Sequence, residues 1–593
     1  MSGTAEIAFR LMNWDEELLI FLFIYFFTFR HLLICGGACM EKLIEITVGA
    51  MLDEMAQKFP DHECVLYTDR PFRKTYSEFN SICNKIAKSF IKMGIKKGDH
   101  VAMWATNVPE WLITLFATAK IGAVLVTVNT NYKIFELEYL LKQSDSSTLV
   151  LIDGFKDSNY IQILNELCPE LKDFKPGEFK SDKLPFLKNV ISVSENRYQG
   201  MFSWSDIIEM GSDISDEELY AISNSLDCQD VINMQYTSGT TGFPKGVMLT
   251  HYNIVNNGKC IGDCMHFTHE DRLCIPVPFF HCFGLVLAIM ACVTHGTTMI
   301  PLEYYQPLKV MQTIEKEKCT AVYGVPTMFI AVLEHPEFNN FDYSTLRTGI
   351  MSGSPCPVKV MEIVVDKMNM EDITIPYGQT EASPVCTQTR IGDSLERRVS
   401  TVGRGLPFIE CKIVDPETGK DLPDGVQGEF VARGYNVMKG YYKMPEATAQ
   451  AIDSEGWLHT GDLAVRDEHG YFKITGRIKD MIIRGGENIY PKEIEEFLYT
   501  LPEVKDVQVI GVPSKAYGEE IMAYIILKEG CTLSEEQVKE AVRSNMARHK
   551  TPKYVGFVDS FPMTASGKIQ KYKMRENAIV QLGLQDEANI ETA

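Results

Sequence analysis

The sequence has few of the features that mark a nucleic-acid-binding or disulfide-stabilised protein. Basic residues are outnumbered, with 58 Lys and Arg against 79 Asp and Glu, and the net charge of −21 argues against a nucleic-acid partner, whose phosphates require basic patches. The 16 cysteines are scattered without CxxC spacing. In a chain of 593 residues this usage indicates reduced thiols in a cytoplasmic protein rather than a disulfide framework.

The sequence also lacks a hydrophobic run long enough to span a membrane. Its most apolar segment, LLIFLFIYFFTF at 18–29, has 12 residues, whereas a spanning helix needs about 20. Asp15, Glu16 and Glu17 precede this segment, and a secretory signal would be preceded by positive charge. A weak membrane anchor and a buried helix are alternatives, so peripheral membrane association stays open. We expect residues 1–39 to be an N-terminal extension outside the fold.

From residue 97 onward, apolar β-branched runs alternate with amphipathic helical segments. This alternation predicts an α/β fold, with parallel-rich sheets covered by helices. After Thr475 the elements become shorter and mixed, which predicts a small α+β domain behind a hinge. Because the chain is too long for one hydrophobic core, we predict a large N-terminal domain at 40–476 and a small mobile C-terminal domain at 477–593.

The densest cluster of phosphate-binding residue types is YTSGTTGFPKG at 236–246. Glycine lets the backbone approach an anion closely, N–H groups and hydroxyls donate to phosphate oxygens, and lysine neutralises charge. The spacing is not that of a Walker A loop, which opens a helix, because the VMLTH that follows predicts a strand. We therefore predict a phosphate-binding loop between two strands. It contains Thr237, Ser238, Gly239, Thr240, Thr241, Gly242 and Lys245.

Four further blocks follow this loop along the chain. They are YGQTEASP (377–384), GWLHTGDLA (456–464), GRIKDMIIRGGENIYPKEIE (476–495) and TASGKIQKYKMRE (564–576). The five blocks in this order resemble the adenylate-forming, or AMP-binding, superfamily in its acyl-CoA synthetase branch. The resemblance covers the chain from residue 40 to about residue 576. It implies an enzyme that uses ATP to convert a carboxylic acid into an acyl-adenylate and then passes the acyl group to coenzyme A.

The resemblance assigns nucleotide and metal contacts to YGQTE. Tyr377, next to Gly378, corresponds to the ring that stacks on adenine, and Thr380 to a hydroxyl near the α-phosphate. Glu381, with Thr240 of the loop, corresponds to the ligands of Mg²⁺, a hard cation that prefers oxygen.

Two other segments are expected beside the nucleotide. Gly353, Ser354 and Pro355 are similar to the family's small-residue segment along the nucleotide and acyl pocket, although a plain loop would explain them equally well. Asp462 resembles the carboxylate that binds the ribose hydroxyls, and Arg477 its basic companion.

The resemblance also implies a moving part. Lys568 matches the catalytic lysine, which would bridge the carboxylate and the α-phosphate and so reduce the repulsion between two anions. Lys479 stands at the hinge position, although a surface charge is an alternative. Gly485 and Gly486 correspond to the backbone along which the pantetheine arm of coenzyme A approaches.

The acid is the least defined substrate. The segment VPFFHCFG (277–284) resembles the block that frames the acyl pocket, with His281 as a candidate catalytic residue or, alternatively, a histidine packed in the core. No aspartate stands in this segment to pair with an α-amino group. The apolar helix LVLAIMACV, together with Val325, Met328 and Phe329, would line an apolar tunnel or belong to ordinary core. We expect a medium- or long-chain fatty acid.

Other functions share these blocks. An aryl-CoA ligase or an acyl-AMP ligase that loads a carrier protein would carry all of them. A catalytically inactive nucleotide-binding scaffold would be expected to have lost Lys568, Glu381 or Lys245, and all three are present. The sequence carries no signal for an oligomeric state.

Overall fold

The structure is a computed structural model that describes residues 42–237, 244–353, 356, 358–484, 487–515, 517–546, 548–564 and 569–585. The predicted extension, residues 1–39, lies outside the described residues, and its role stays a prediction. Contacts divide the chain into a unit at Met1–Leu43 and a unit at Ile44–Ala593, and the description below concerns the second.

Two large sheets carry the fold, as far as the chain is described. The first has seven strands, parallel except for the last pair, in the spatial order Asp372–Thr374, Thr348–Met351, Ala321–Gly324, Arg272–Ile275, Thr298–Pro301, Glu63–Leu66 and Arg73–Thr75. The second has eight strands in the order Gly440–Tyr441, Lys245–Thr250, Val231–Thr237, Val124–Thr127, His100–Trp104, Ser146–Leu151, Asn189–Ser192 and Phe202–Ser203. Six of these, from Val231–Thr237 to Phe202–Ser203, run parallel. The predicted parallel-rich α/β fold is confirmed.

Helices separate the strands of these sheets. The α-helices are Val48–Lys58, Tyr76–Lys92, Pro109–Ile121, Ile134–Gln143, Tyr160–Leu167, Trp204–Ile208, Asp216–Ser223, His251–Cys264, Ala291–His295, Pro307–Glu317, Pro326–Leu333, Val358–Lys367, Leu395–Ser400 and Pro445–Ala451. A π-helix spans Phe283–Met290, and short 3₁₀ turns span Pro169–Asp173, Phe338–Asn340, Thr380–Ala382, Ile478–Asp480 and Arg548–Lys550.

The helix Pro109–Ile121 illustrates how sequence sets these elements. Proline occupies its first position, where no intrahelical N–H bond is needed, and Gly122 ends it with a φ of 73°. The helix is buried along almost its whole length, including Lys120, which is 1% exposed. A buried ammonium requires a partner, and the Lys120 Nζ lies 2.6 Å from Asp53 Oδ1.

Two antiparallel sheets were not predicted from the sequence. One contains Ile409–Val414, Gly428–Gly434, Leu458–Arg466 and Phe472–Arg477, and the other contains Pro376–Gly378, Val385–Gln388 and Arg404–Gly405. A small two-stranded pairing joins Gly154–Phe155 to Ser158–Asn159. The antiparallel sheets bear directly on function, because YGQTE and HTGD lie on them.

A smaller sheet follows the turn Ile478–Asp480. Its strands are Glu487–Ile489, Ile482–Arg484, Gly518–Leu527, Val504–Ser514 and Tyr554–Phe557. One apolar cluster joins these strands to helices Pro491–Leu498 and Glu535–Asn545, and a second joins them to helix Lys571–Leu582. The predicted small α+β domain is confirmed, whereas its boundary at residue 477 stays a prediction.

Candidate active site

The predicted phosphate loop joins two antiparallel strands, as expected. Thr237 ends the first strand directly opposite Lys245, which begins the second, and Tyr236 pairs with Gly246. An added Cβ at Gly246 would lie 2.9 Å from the sulfur of Met234, so a larger residue there would require the Met234 side chain to move. Ser238, Gly239, Thr240, Thr241 and Gly242 lie outside the described residues.

Helix Ile134–Gln143 holds both ends of this loop. The Tyr139 hydroxyl donates to the carbonyl of Pro244 at 3.1 Å, and the Tyr236 hydroxyl donates to Gln143 Oε1. Gln143 Nε2 in turn donates to the carbonyl of Tyr442 at 2.8 Å. Tyr139 and Gln143 were not predicted from the sequence, because nothing local to either residue indicates contact with a loop about a hundred positions away.

Lys245 and Glu381 are brought together by a third residue, Tyr441. The Tyr441 hydroxyl donates to Glu381 Oε1 at 2.8 Å, and the Lys245 Nζ lies 4.7 Å from the centre of the Tyr441 ring. Burial and the nearby Glu381 carboxylate raise the pKa of Tyr441, so the phenol stays a donor. Tyr441 was not predicted from the sequence. It follows Gly440 in an edge strand of two residues.

Tyr377, Asp462 and Arg477 form a second cluster that joins the two antiparallel sheets. The Tyr377 hydroxyl donates to Asp462 Oδ2 at 2.8 Å, and Arg477 Nε lies 2.7 Å from Asp462 Oδ1. Asp462 and Arg477 are direct partners across neighbouring strands, so strand register sets this contact. The Asp462 side chain is 6% exposed and that of Arg477 is 55% exposed. The Asp462 carboxylate raises the pKa of Arg477, while burial and then the same carboxylate raise the pKa of Tyr377.

The turn after Tyr377 is sterically fixed. An added Cβ at Gly378 would lie 1.8 Å from the carbonyl oxygen of Pro384, so this position admits only glycine. Thr380 and Glu381 follow in the 3₁₀ turn, where the Glu381 carbonyl accepts from the Met438 N–H at 2.8 Å. The sequence spacing of YGQTE thus places Tyr377 at one cluster and Glu381 at the other.

The small-residue segment lies beside the same strands. The Ser352 hydroxyl donates to the carbonyl of Pro376 at 3.1 Å, directly before Tyr377. Gly353 has a φ of 91°, in the left-handed region, and an added Cβ there would lie 3.0 Å from Val325. Ser354 and Pro355 lie outside the described residues. The segment therefore connects the nucleotide-side strands to Val325.

His281 lies two residues before an unusual helix. Its Nδ1 accepts from the Phe283 N–H at 3.1 Å, which assigns the proton of the neutral ring to Nε2. Phe283–Met290 is a π-helix, a geometry frequent at functional sites, and it continues as α-helix Ala291–His295. The sequence predicted an apolar helix here but could not specify its wider turns.

A narrow apolar cavity lies at the carboxyl ends of two parallel strands of the first sheet. The Tyr305 hydroxyl donates to the Met328 carbonyl at 2.8 Å beside it. Of the residues predicted for an apolar tunnel, Met328 and Phe329 line this cavity, whereas Val325 and the segment LVLAIMACV (285–293) do not. The full lining is Pro276, Tyr305, Val310, Val322, Tyr323, Gly324, Met328, Phe329, Val332 and Met368.

The remaining predicted residues belong to the hinge and the small domain. Lys479 lies in the 3₁₀ turn Ile478–Asp480, between the last strand of the large antiparallel sheet and the first of the small domain. Gly485, Gly486 and Lys568 lie outside the described residues. Their assigned roles stay predictions.

Comparison with known proteins identifies the family. Residues 52–442 match the model of the AMP-binding enzyme, and residues 493–568 match that of the AMP-binding enzyme C-terminal domain. The chain belongs to the AMP-binding enzyme family. The expected acyl-CoA synthetase branch and enzyme class are confirmed by the relatives described next.

Two relatives align over most of the chain. A Bacillus subtilis (strain 168) protein named "Putative acyl-CoA synthetase YngI" is 58% identical over 92% of this chain and 99% of its own. The Danio rerio "Medium-chain acyl-CoA ligase ACSF2, mitochondrial" is 43% identical over 92% of this chain and 91% of its own. Among solved structures, the anthranilate CoA ligase AuaEII in complex with anthranoyl-AMP matches with a TM-score of 0.79 and 25% identity, over 92% of this chain and 99% of that one.

The residues that the structure describes contain no group of three His, Cys, Asp or Glu side chains arranged to hold a metal ion. Helices of this part of the chain are too short or too polar to cross a bilayer.

Proposed function

We propose that the protein joins a medium-chain fatty acid to coenzyme A in two steps. In the first, a carboxylate oxygen of the acid attacks the α-phosphorus of ATP, the bond to the β-phosphate oxygen breaks, and pyrophosphate leaves. In the second, the thiolate of coenzyme A attacks the acyl carbon, and AMP leaves with the electrons of the broken C–O bond. The proposal rests on one observation: the short segment YGQTE contributes Tyr377 to one polar cluster and Glu381 to the other.

The first cluster fits the adenosine part of ATP. Asp462 holds a buried carboxylate whose two oxygens contact Tyr377 and Arg477, and a carboxylate so oriented can accept from two ribose hydroxyls. The half-exposed Arg477 places a positive charge beside that carboxylate. We assign the Tyr377 ring to adenine, since its hydroxyl and one edge are fixed by Asp462 and by a perpendicular contact to Phe430 at 5.1 Å.

The second cluster fits the phosphates. Lys245 lies at the C-terminal end of the loop. The contact of its ammonium with the Tyr441 ring directs this positive charge toward Glu381, to which the Tyr441 hydroxyl donates. Glu381 suits Mg²⁺ because its carboxylate is hard and partly buried, and phosphate oxygens would complete the coordination. When bound, Mg²⁺ would neutralise charge on the leaving pyrophosphate. Thr237 and the hydroxyls and amides up to Gly242 would donate to phosphate oxygens.

The catalytic lysine and the thiol channel require two domain arrangements. Lys568 would approach the α-phosphate during adenylation, and the Gly485–Gly486 segment would replace it when the thiol enters. The 3₁₀ turn that contains Lys479 is the natural pivot, since it is the short connection between the two folded parts. No covalent enzyme intermediate is needed.

The acid would enter on the side of His281 and the narrow cavity. The lining is apolar apart from the Tyr305 and Tyr323 hydroxyls, which suits a hydrocarbon chain. The name of the Danio rerio relative, a medium-chain acyl-CoA ligase, supports the same class of acid. We place the reaction in the cytoplasm, where the free thiols among the described cysteines would persist.

A pyrophosphate-release screen tests the proposal. Purified protein with ATP and Mg²⁺ is given carboxylic acids of graded length and aromatic acids, each with and without coenzyme A. We expect AMP and pyrophosphate with C6 to C12 acids and acyl-CoA only when coenzyme A is present. Aromatic acids as the preferred substrates would replace the fatty acid by an aryl acid, and the absence of AMP with every acid would refute the proposal.

A further inference from the structure

Lys492 makes a hydrogen bond that crosses the hinge. It stands at the start of helix Pro491–Leu498 in the small domain, and its Nζ donates to the carbonyl of Ile474 at 2.6 Å. Ile474 belongs to strand Phe472–Arg477, on the other side of the turn that contains Lys479. Any large rotation about that turn would break this bond.

The accepting carbonyl lies on the open edge of a sheet. Phe472–Arg477 is the outermost strand of its antiparallel sheet. On its outer side, Phe472 exchanges backbone hydrogen bonds with Val402 and Gly403. Residues alternate along a strand, so the carbonyl two positions later, that of Ile474, also points outward, and Lys492 is the donor that reaches it.

Because the Lys492 side chain is largely buried, its ammonium depends on a partner at close range. The Lys492 side chain is only 22% exposed, and desolvation lowers its pKa. Its nearest carboxylate, Glu496, is 3.9 Å away and half exposed, so the Ile474 carbonyl is the short contact of the ammonium. Two other ion pairs cross the hinge, Lys505 with Glu334 at 2.6 Å and Lys473 with Glu496 at 3.9 Å, and both are exposed and contribute little.

The position of Lys492 indicates which domain arrangement it stabilises. The ammonium acts electrostatically on the Cys356 thiol, whose pKa burial raises to about 12, and Cys356 follows the Gly353 segment of the large domain. The chain immediately before Lys492 is GGENIYP, the segment assigned to the pantetheine arm. The helix that follows Lys568, Lys571–Leu582, packs in the second apolar cluster and is joined to helix Pro491–Leu498 by Lys571, whose Nζ lies 2.6 Å from Glu495 Oε1.

We propose that Lys492 is a positioning residue that holds the small domain in the thioester-forming arrangement. The inference rests on the proposed two-step function. Lys492 touches no reacting atom in this assignment. Its role is to keep the segment assigned to the pantetheine arm against the large domain while acyl-AMP is bound. The hydrogen bond from Lys492 to Ile474 breaks when the small domain turns to bring Lys568 to the α-phosphate.

Two half-reactions separate this role from a structural one. Acid-dependent ATP–pyrophosphate exchange reports adenylation, and a single-turnover chase of enzyme-bound acyl-AMP with coenzyme A reports thioester formation. We expect Lys492→Met, which keeps the apolar stem, to slow the chase about tenfold while exchange stays within about twofold of the wild type. Lys492→Arg should restore the chase, since a guanidinium can still donate to the carbonyl. Lys539→Met, which removes a lysine paired with Glu535 inside the small domain, is the matched control.

A measurement that needs no turnover tests the contact itself. Trypsin cleaves after Arg477 and Lys479, and mass spectrometry identifies these cuts. Lys492→Met should raise their rate severalfold, and Lys539→Met should leave it unchanged. An unchanged cleavage rate in Lys492→Met, or equal losses in both half-reactions, would overturn the inference. If wild-type protein forms no AMP, the proposed function fails by that observation, and the proteolysis rates still decide whether Lys492 holds the domains.

Discussion

On the nucleotide side of the site, Tyr377, Asp462 and Arg477 are tied to one another by hydrogen bonds between two sheets, whereas on the acid side Met328 and Phe329 line a narrow apolar cavity. The first side is built from polar groups whose positions are fixed by strand register. The second is built from apolar side chains that define a volume. This difference predicts that changes on the nucleotide side reduce activity with every acid alike, while changes on the acid side alter the choice of acid.

The largest effect is expected from Lys568→Ala. If this lysine stabilises charge on the α-phosphate in the transition state, its removal should reduce pyrophosphate exchange by about 10² or more, by the same factor for every acid. ATP binding, measured by equilibrium dialysis, should change little. Lys573→Ala removes an exposed lysine of the same block and should remain near wild type. Exchange that survives in Lys568→Ala would contradict the assignment.

A smaller but equally uniform loss is expected from Asp462→Asn. The substitution keeps the shape of the side chain but removes the charge that faces Arg477 and would accept from the ribose. Charge-assisted hydrogen bonds contribute about 1.5–3 kcal/mol, so kcat/KM for ATP should fall about tenfold or more.

The control for that prediction lies on the same sheet. Glu410→Gln removes an exposed carboxylate that pairs with Arg433, and it should leave kcat/KM for ATP within about twofold. If the loss in Asp462→Asn differed between a C6 and a C12 acid, the separation between the two sides of the site would be wrong.

On the acid side, Met328→Ala should change preference more than rate. Shortening this side chain enlarges the cavity, and one methylene in an apolar pocket is worth about 1–3 kcal/mol of discrimination. The ratio of kcat/KM for C12 to that for C6 should rise several-fold while KM for ATP stays unchanged. Ile330→Ala, on the same helix but outside the cavity lining, is the control. An unaltered ratio in Met328→Ala would exclude this cavity as the acyl site.

The nucleotide side can be predicted from the sequence better than the acid side, for a physical reason. The strands around the phosphate loop, the parallel sheets and the small domain follow from local periodicity and from motif spacing. Asp462 and Arg477 lie in contact, and the ribose-binding role assigned to them stays a prediction. Tyr441 and the antiparallel sheets were missed, because strand pairing between distant segments leaves little local signal. The acyl cavity depends on how apolar side chains pack, and the same residues read equally well as ordinary core.

The smallest effect is predicted for Tyr139→Phe. This substitution tests whether helix Ile134–Gln143 supports the phosphate loop alone or the whole site. The hydroxyl donates to the carbonyl of Pro244, at the end of the phosphate loop, at 3.1 Å. A neutral hydrogen bond contributes about 0.5–1.5 kcal/mol, so KM for ATP should rise about three- to tenfold with kcat less affected. Tyr220→Phe, on the remote helix Asp216–Ser223, is the control. Thioester formation from bound acyl-AMP should not change, since the loop has by then released pyrophosphate. A slower chase with coenzyme A would mean that helix Ile134–Gln143 supports the whole site rather than the loop alone.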